Sequence, residues 1–239
     1  MKKEKLYKIL ARYYDSIYKW KDYKKESEKI HNIIKQYKKT KGKKLLDVAC
    51  GTGNHITYLK KHYKIIGTDL NKEMLEEARK KFPDIKFKRA NMVYLKFKKQ
   101  FDIIICLFSS IGYVKTYKNL EKTISSMSKN LKPGGVLIIE PWLTKESHEI
   151  GKSHITFVDK PDIKITRMTI NSIKGNLSLL NFHFLIASRS GIIYLNDKHE
   201  LGLFEKERFL KIMKDCDLKA KYIKNGFIPN RGLYIGIKK

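Results

Sequence analysis

The chain has 239 residues, of which 42% are hydrophobic, and a formal net charge of +28. This length and hydrophobic share are typical of one globular domain with a small addition, and they exclude a disordered chain. No apolar run approaches the roughly 18 residues of a membrane-spanning helix. The basic N-terminus lacks the apolar stretch of a secretory signal, so we expect a cytoplasmic protein without a membrane anchor.

The cysteines Cys50, Cys106 and Cys216 have no paired spacing, which argues against a disulfide framework and against a metal site. The positive charge raises the question of a nucleic-acid partner. Only seven of the 52 basic residues are arginines, the side chain best suited to reading phosphates and bases, and the lysines are spread along the whole chain. A lysine bias of the source proteome explains this pattern more simply, and a nucleic-acid partner remains an alternative.

The predicted elements begin with a helical region. Residues 4–40 carry apolar side chains at roughly helical spacing and contain no Gly or Pro, with an aromatic-rich stretch at 13–18. From residue 43 onward short apolar runs alternate with amphipathic segments, and Asn71 is a good N-cap for one of the helices. This alternation predicts βαβ units and a parallel sheet that is buried on both faces. The pattern places strands at 45–48, 65–68, 86–88, 101–108 and 136–140, and helices at 54–62, 72–81 and 117–130.

The pattern changes after Trp142. Residues 153–200 alternate apolar and polar side chains around turn signals at 175–176 and 190–191, so we expect an antiparallel meander. A helix and two strands then return the chain to the α/β pattern. We therefore predict an α/β fold with a doubly wound, Rossmann-like, mostly parallel seven-stranded sheet and an inserted antiparallel β-subdomain. The expected units are an N-terminal helical cap (1–42), a core (43–150 and 201–239) and the insertion (151–200), which forms a lid or a dimer surface. The closing elements are predicted at 205–215 (helix), 219–224 and 232–237 (strands).

The most informative segment follows the first core strand, which ends in Gly51-Thr52-Gly53. Glycines there let the backbone turn tightly and let a ligand approach closely. A dinucleotide fingerprint would place a third glycine at position 56, where this chain has isoleucine. Asp47 precedes the glycines, and a carboxylate at that place suits a ligand with an amino group. About 20 residues later Asp69 ends the next strand, where it can accept hydrogen bonds from both hydroxyls of a ribose.

Together with Asn91 after the third strand, this layout resembles the class I S-adenosylmethionine-dependent methyltransferases over essentially residues 14–237. The resemblance implies S-adenosylmethionine as the cofactor, with Asp47 and the glycine turn at its methionine part and Asp69 at its ribose. Asn91 replaces the commoner aspartate, and its amide can still exchange hydrogen bonds with the adenine amino group. The cofactor contacts that the resemblance implies are Tyr14, Tyr23, Asp47, Ala49, Gly51, Gly53, Asp69, Leu70, Met74, Asn91, Met92 and Leu107.

Further segments narrow the resemblance. They are residues 14–18, 21–23, 107–113, 140–142 and 230–234. This set is similar to the N,N-dimethyltransferases that act on nucleotide-linked amino sugars in macrolide antibiotic pathways. In that group the β-rich insertion shapes the substrate pocket and often a dimer, so we expect a small-molecule substrate and a homodimer.

Methyl transfer to an amine is an in-line displacement at the sulfonium methyl group, so the protein mainly aligns the partners and excludes water. Tyr18 is a candidate for orienting the acceptor amine, and His199 for a base or a partner of a sugar hydroxyl. Tyr113 and Trp142 are predicted to lie at the pocket mouth, and Arg231 to bind a diphosphate through its planar fork. For each of these side chains a purely structural role is the alternative.

The leading hypothesis is therefore a methyltransferase that modifies the amine of a nucleotide-linked amino sugar. The charge supports an RNA methyltransferase as the alternative, but the Asn-Pro-Pro-Tyr type of motif found after the fourth strand of many base-amino methyltransferases is missing, because residues 107–110 read Leu-Phe-Ser-Ser. A non-enzymatic protein that binds the cofactor and a partner is the third hypothesis. The intact set of Asp47, Gly51, Gly53 and Asp69 argues against it.

Overall fold

Two β-sheets organise the part of the chain that the computed structural model describes, residues 5–229 and 231–239. Residues 1–4, at the start of the predicted cap, and Asn230, in the last quoted segment, lie outside the described residues. The strands, in chain order, are β1 (Lys44–Val48), β2 (Lys64–Asp69), β3 (Lys86–Arg89), β4 (Phe101–Cys106), β5 (Leu131–Ile139), β6 (Ser153–Lys160), β7 (Ile163–Lys174), β8 (Leu177–Ser188), β9 (Gly191–Gly202), β10 (Leu218–Ile223) and β11 (Leu233–Lys238). The α-helices are α1 (Tyr14–Ile17), α2 (Tyr23–Tyr37), α3 (Ile56–Leu59), α4 (Lys72–Lys81), α5 (Tyr117–Lys129) and α6 (Lys206–Asp215).

The larger sheet has the strand order β10-β11-β5-β4-β1-β2-β3 over the described residues. Strands β3, β2, β1, β4 and β5 are parallel, and β11 runs antiparallel to its neighbours β5 and β10. This confirms the predicted seven-stranded, mostly parallel sheet. The strand order reverses between β1 and β4, and in open α/β sheets such a switch point is where ligands bind, beyond the carboxyl ends of the strands. The edge strands are β3 and β10.

Helices cover both faces of this sheet because the central strands are apolar on both faces. Leu46 and Ile104 pack against Ile124 of α5 and Met213 of α6 in one buried cluster. The neighbouring residues on the strands point to the other face, where Leu45, Ile103 and Ile105 pack against residues of α2 and α4. Two cores on opposite faces of one sheet are the packing that a doubly wound fold requires.

The smaller sheet is an antiparallel meander in the order β6-β7-β8-β9, which confirms the predicted inserted β-subdomain. Its inner face packs Ile165 and Phe184 against Leu6 and Leu10 of the N-terminal segment. The outer face carries exposed large hydrophobic side chains: Ile155, Phe157, Met168, Ile170, Leu185, Ile192 and Tyr194. The division of the chain into cap, core and insertion at the stated boundaries stays a prediction.

The N-terminal region differs from the predicted helix over residues 4–40. Its described part begins with two 3-10 turns (Lys5–Tyr7 and Ala11–Tyr13) and the single turn of α1, and only α2 is a long helix. Asp22 starts α2 by accepting a hydrogen bond from Lys25 N at 2.9 Å. Before that cap, the apolar side chains fill the inner face of the smaller sheet, and this irregular packing replaces the regular helix that their spacing suggested.

Three further predictions need correction. The helix expected at 54–62 shrinks to α3, because side-chain hydrogen bonds of Asn54 and His55 to the N-terminal region hold the preceding residues in a turn. Asn71 occupies the N-cap position of α4 without a capping hydrogen bond, since its side chain contacts Asp69 instead. The strand predicted at 136–140 begins earlier, because β5 starts at Leu131. Leu131 pairs with Phe101, and a bulge separates this pair from the rest of the ladder. Among the described residues no helix is long and apolar enough to cross a membrane.

Candidate active site

The turn after β1 has an unusual backbone. Ala49, Gly51 and Gly53 have φ values of 58°, 56° and 82°, in the left-handed region that favours glycine. A Cβ on Gly53 would lie 2.9 Å from the Phe82 ring, so no side chain fits there. A Cβ on Gly51 would meet only the Met74 methyl group within 4 Å, at 3.2 Å. The turn therefore presents bare backbone at the carboxyl edge of the sheet, as a closely approaching ligand requires.

Asp47 is a buried carboxyl group inside this edge, only 3% exposed. Within residues 5–229 and 231–239, burial and the charge of Asp69 act on this carboxyl group and no hydrogen bond does. Burial, helped by the charge of Asp69, raises the pKa of Asp47 to about 8. Ionising a buried carboxyl group is costly unless a positively charged partner lies beside it. The amino group of a methionine moiety is such a partner.

Asp69 ends β2 and is held by the backbone around it. Its Oδ2 accepts a hydrogen bond from Gly51 N at 3.0 Å, and its Oδ1 accepts one from Asn71 N at 2.8 Å. Burial raises the pKa of Asp69, and these hydrogen bonds oppose the shift. Each carboxylate oxygen has a further lone pair, which leaves acceptors for the two hydroxyls of a ribose. The adjacent Leu70 side chain is exposed.

The remaining predicted cofactor contacts lie at neighbouring strand ends. Asn91, after β3, is exposed, and its Oδ1 accepts a hydrogen bond from Val93 N at 3.0 Å, so its amide nitrogen is not used in that bond. Met92 is half-buried against the core, and Leu107, after β4, is buried. Since β3, β2, β1 and β4 are adjacent parallel strands, these residues share one edge with Asp47 and Asp69.

The N-terminal segment closes over this edge through Asp15. Its Oδ1 accepts hydrogen bonds from Thr52 Oγ1 at 2.5 Å and from Asn54 Nδ2 at 2.9 Å, both in the glycine turn. The segment thereby brings Tyr14 and Tyr18 to the site, with ring centroids 4.6 Å apart. Burial raises the pKa of Tyr14 well above its usual value, and the charge of Asp69 contributes to the shift. The role of Asp15 was not predicted, although it lies inside a quoted segment.

A buried ionic network lies beside the glycine turn and was also not predicted. Glu26 forms an ion pair with Lys21, and its other oxygen lies 2.8 Å from His55 Nε2. The Tyr23 ring packs edge-on against His55 at 5.0 Å. The Lys21 ammonium lies 4.5 Å from the centroid of the Phe108 ring. The network fixes the start of α2 against the turn, so Tyr23 is held at the site by charge as well as by packing.

A second group of polar side chains lies beyond β4, β5 and β11. Arg231 stacks on Trp142, with the guanidinium carbon 4.0 Å from the ring centroid, and its Nη1 donates to Ser109 Oγ at 3.1 Å. Glu140 accepts a hydrogen bond from Phe108 N at 2.6 Å. Among the described residues, buried Glu140 Oε1, Trp142 Nε1 and Arg231 Nε have no hydrogen-bond partner. Such orphaned atoms are costly when buried, so this group of side chains, here called the polar cluster, has the chemistry of a polar ligand site.

The structure also brings together two residues that the sequence analysis named separately. His199 Nδ1 lies 2.5 Å from the Tyr113 hydroxyl, and His199 Nε2 lies 3.0 Å from Asp197 Oδ2. His199 is 1% exposed, and its role as a base or as a partner of a sugar hydroxyl stays a prediction. Tyr18, the other predicted catalytic residue, is buried between Tyr14, Phe108 and the guanidinium of Arg167.

Sequence and structure comparisons agree with this geometry. Residues 45–135 match the family described as methyltransferase domain. The chain is 30% identical, over 94% of its length and 95% of the relative's, to dTDP-3-amino-3,4,6-trideoxy-alpha-D-glucopyranose N,N-dimethyltransferase from Streptomyces venezuelae. The crystal structure of Streptomyces venezuelae DesVI matches with a TM-score of 0.90 at 29% identity, covering 96% of this chain and 98% of that one. At 23% identity, CalS10 with bound S-adenosylmethionine, an amino pentose methyltransferase from Micromonospora echinaspora, shares the fold with a TM-score of 0.85 and coverage of 97% of both chains.

Proposed function

The chain belongs to the S-adenosylmethionine-dependent methyltransferases, and we propose that its acceptor is the amine of a nucleotide-linked amino sugar. The observation that carries the proposal is the half-buried Arg231, which stacks on Trp142 and whose buried Nε has no partner among the described residues. A guanidinium that is fixed in this way suits the diphosphate of a sugar nucleotide. The relative at 30% identity is named for an amino sugar linked to dTDP, which supports the same substrate class.

The residues at the carboxyl edge would hold the cofactor. Asp47 would bind the amino group of its methionine part, and the backbone from Gly51 to Gly53 would approach the same part. Asp69 would accept the ribose hydroxyls, with Leu70, Asn91 and Met92 around the adenine and Ala49, Met74 and Leu107 lining the site. The fit rests on the buried, unpartnered carboxyl group of Asp47 and on the bare glycine turn beside it.

S-adenosylmethionine supplies a methyl group on a positively charged sulfur, already activated for transfer. The protein's part is then alignment and exclusion of water. Tyr14 and Tyr23 would cover the cofactor, because aromatic faces attract a cation. Tyr18 would orient the acceptor amine from the same segment, between the cofactor cover and Phe108.

The polar cluster would hold the acceptor. Arg231 would bind the diphosphate, Trp142 would present its free indole N–H to the same group or to the sugar, and Tyr113 would line the mouth. Glu140 Oε1 would accept a hydrogen bond from a hydroxyl or amine of the sugar, since it is buried without a partner among the described residues. Because both substrates would be nucleoside-containing metabolites, we expect the enzyme to act in the cytoplasm.

The outer face of the smaller sheet is the surface that we propose for a homodimer. Phe157 and Tyr194 are 69% and 60% exposed, and they lie in one row across the sheet with Thr166 and Leu185. A contiguous apolar face of this kind is typical of an interface. Two copies could pair these faces isologously, which is the commonest arrangement of homodimers.

A labelled-methyl transfer assay tests the acceptor. We would incubate the enzyme with labelled S-adenosylmethionine and three pools: dTDP-linked 3-amino and 4-amino sugars, the same sugars with a hydroxyl in place of the amine, and total cellular RNA. We expect label only in the amino sugars, at a rate that moderate salt does not change. Label in RNA, lost as the salt concentration rises, would support the RNA alternative and refute the proposed acceptor.

A further inference from the structure

Four titratable side chains from three parts of the chain form a continuous series of hydrogen bonds. Asp197 Oδ2 lies 3.0 Å from His199 Nε2 on β9. His199 Nδ1 lies 2.5 Å from the hydroxyl of Tyr113, in the segment after β4. The Tyr113 hydroxyl lies 2.7 Å from that of Tyr7, in the N-terminal segment. The series thus joins the smaller sheet, the carboxyl edge of the larger sheet and the segment that covers it.

The hydrogen-bond partners assign a direction to this series, with the tautomer of His199 inferred from them. Burial alone would raise the pKa of Asp197, but hydrogen bonds from His199 and from Leu6 N hold it below its usual value. Asp197 is therefore a carboxylate, and it requires a donor at His199 Nε2. In the neutral imidazole the proton on Nε2 leaves Nδ1 as an acceptor, which takes the hydroxyl hydrogen of Tyr113. In this tautomer the Tyr113 hydroxyl donates to His199 Nδ1, and His199 Nε2 donates to Asp197.

The series runs from a buried end to a more accessible end. Asp197 and His199 are 5% and 1% exposed, whereas Tyr113 and Tyr7 are half-buried. The Tyr7 ring lies 6.1 Å from the ring of Tyr14, which we place over the cofactor. The half-buried end of the series therefore lies beside the proposed cofactor cover, and the carboxylate of Asp197 is its buried end. This is the arrangement that moves a proton away from a reacting group.

We propose that Tyr113, backed by His199 and Asp197, removes the proton from the acceptor ammonium before methyl transfer; this inference rests on the proposed function. The ammonium N–H bond breaks and its proton goes to Tyr113 Oη, while the hydroxyl proton of Tyr113 goes to His199 Nδ1. The freed lone pair then forms the N–CH3 bond as the CH3–S bond breaks, and that electron pair stays on the sulfur. His199 returns its proton to solvent through the same series. Tyr113 is the catalytic residue, and His199 and Asp197 are positioning residues.

Within residues 5–229 and 231–239, few other charged or titratable groups face the imidazole of His199. Asp197 lies on the same strand, Tyr113 and Tyr7 contact the ring from the other two elements, and the Phe182 ring packs on it at 4.7 Å. The guanidinium of Arg167 on β7 lies 5.5 Å from the centroid of that Phe182 ring. A change in rate on replacement of His199 is therefore assigned to this series of hydrogen bonds.

The test compares His199→Gln with a matched control on the same sheet. Glutamine can still accept the Tyr113 hydrogen bond but cannot take up a proton. His183 on β8 lies 2.5 Å from the Tyr194 hydroxyl through its Nδ1, the same type of pair, at an exposed position where Tyr194 is 60% exposed. His183→Gln therefore controls for the loss of an imidazole from this sheet.

The readout is the single-turnover rate of methyl transfer to a dTDP-linked 3-amino sugar as a function of pH. At about pH 7 we expect His199→Gln to be slower by about 100-fold, which is typical for loss of general base catalysis. Above the pKa of the acceptor ammonium, determined by titration of the free sugar nucleotide, the amine is already deprotonated in solution, so the deficit should shrink to less than about tenfold. His183→Gln should follow the wild type throughout, and Tyr113→Phe should behave like His199→Gln. Equilibrium dialysis should show unchanged S-adenosylmethionine affinity in every variant.

Two results would overturn the inference, and they are distinguishable from failure of the proposed function. A His199→Gln deficit that is the same at every pH would show a purely structural role. A Tyr113→Phe variant with wild-type rates at about pH 7, where an alkyl ammonium is still largely protonated, would show that its hydroxyl takes no part. If the wild-type enzyme methylates no amino sugar at any pH, the proposed acceptor is wrong, and the inference is wrong with it.

Discussion

Replacing Asp47 by asparagine should stabilise the cofactor-free protein, although it removes a residue that we place at the centre of the cofactor site. Burial and the nearby Asp69 raise the pKa of Asp47 from 3.8 to about 8. In the unfolded chain the same carboxyl group ionises at its ordinary pKa. Between these two values the folded state holds one more proton than the unfolded state, so stability falls as the pH rises. The amide of the Asp47→Asn variant does not titrate, so the free energy of unfolding of the variant does not fall with pH at this site.

The size of the effect follows from the shift. Each unit of pKa difference corresponds to about 1.4 kcal/mol, so the full shift corresponds to roughly 6 kcal/mol. Between about pH 5 and about pH 8 the wild-type free energy of unfolding should therefore fall by about 4 kcal/mol relative to that of Asp47→Asn. This is a large fraction of the stability of a typical domain. Such a cost is expected where a site is shaped for a ligand and not for the empty fold.

Urea denaturation of cofactor-free protein at several pH values measures this difference. Asp102→Asn is the matched control, because Asp102 is also buried on a central strand but accepts hydrogen bonds from Lys44 N and Lys132 Nζ, each at 2.9 Å. These bonds outweigh burial and lower its pKa. The contribution of the Asp102 carboxylate to the free energy of unfolding is therefore fully present above its unfolded pKa and is lost only in acid. Asp102→Asn should therefore be destabilised by the same amount at about pH 5 and about pH 8.

A difference between wild type and Asp47→Asn that changes by less than about 1 kcal/mol over that pH range would refute the reasoning. Adding S-adenosylmethionine supplies a second check. The wild type should gain stability in proportion to the logarithm of the ligand concentration, because ligand binds only the folded state, and Asp47→Asn should gain much less. An equal gain in both proteins would show that Asp47 does not hold the cofactor.

Three other predictions concern the acceptor side and assembly. Arg231→Lys keeps the charge but loses the stacking on Trp142, so steady-state kinetics should show a KM for the sugar nucleotide about tenfold higher, with the affinity for S-adenosylmethionine by calorimetry unchanged. Glu140→Ala leaves Phe108 N without its acceptor and should lower the free energy of unfolding by about 1–3 kcal/mol, whereas Glu140→Gln should retain most of it; equal losses would argue against the bond. Light scattering should find the wild type as a dimer and Phe157→Lys as a monomer, and a monomeric wild type would refute the proposed interface.

The sequence was sufficient for the parts of the molecule that repeat a simple pattern. Buried parallel strands are continuous apolar runs, and their carboxyl ends meet at one edge of the sheet. The sequence alone therefore placed Asp47, Gly51, Gly53 and Asp69 together. The smaller sheet was predictable for the same reason, since its strands alternate and its turns contain glycine. Each of these features depends on neighbours in the sequence.

The parts that sequence reasoning missed depend on contacts between distant residues. Glu26, Lys21 and His55 meet only because α2 packs beside the glycine turn. Glu140 offered a usable signal, because a charged residue directly after an apolar strand is unusual in a core. Asp197 and His199 offered another, since residues two apart on a strand share a face. The long helix predicted for the N-terminal segment was wrong, because the apolar side chains of this segment are spaced to pack against the inner face of the smaller sheet.

Part of the positive charge of the chain lies on the two edge strands of the larger sheet, where it has a role other than binding nucleic acid. An open strand edge exposes unpaired backbone groups and can pair with the edge of another molecule, which begins aggregation. Strand β3 carries Lys86, Lys88 and Arg89, and strand β10 carries Lys219 and Lys221. Two molecules that approached edge to edge would bring these like charges together. The basic residues on both edge strands therefore oppose edge-to-edge pairing of two larger sheets. This role accounts for part of the positive charge without a nucleic-acid partner.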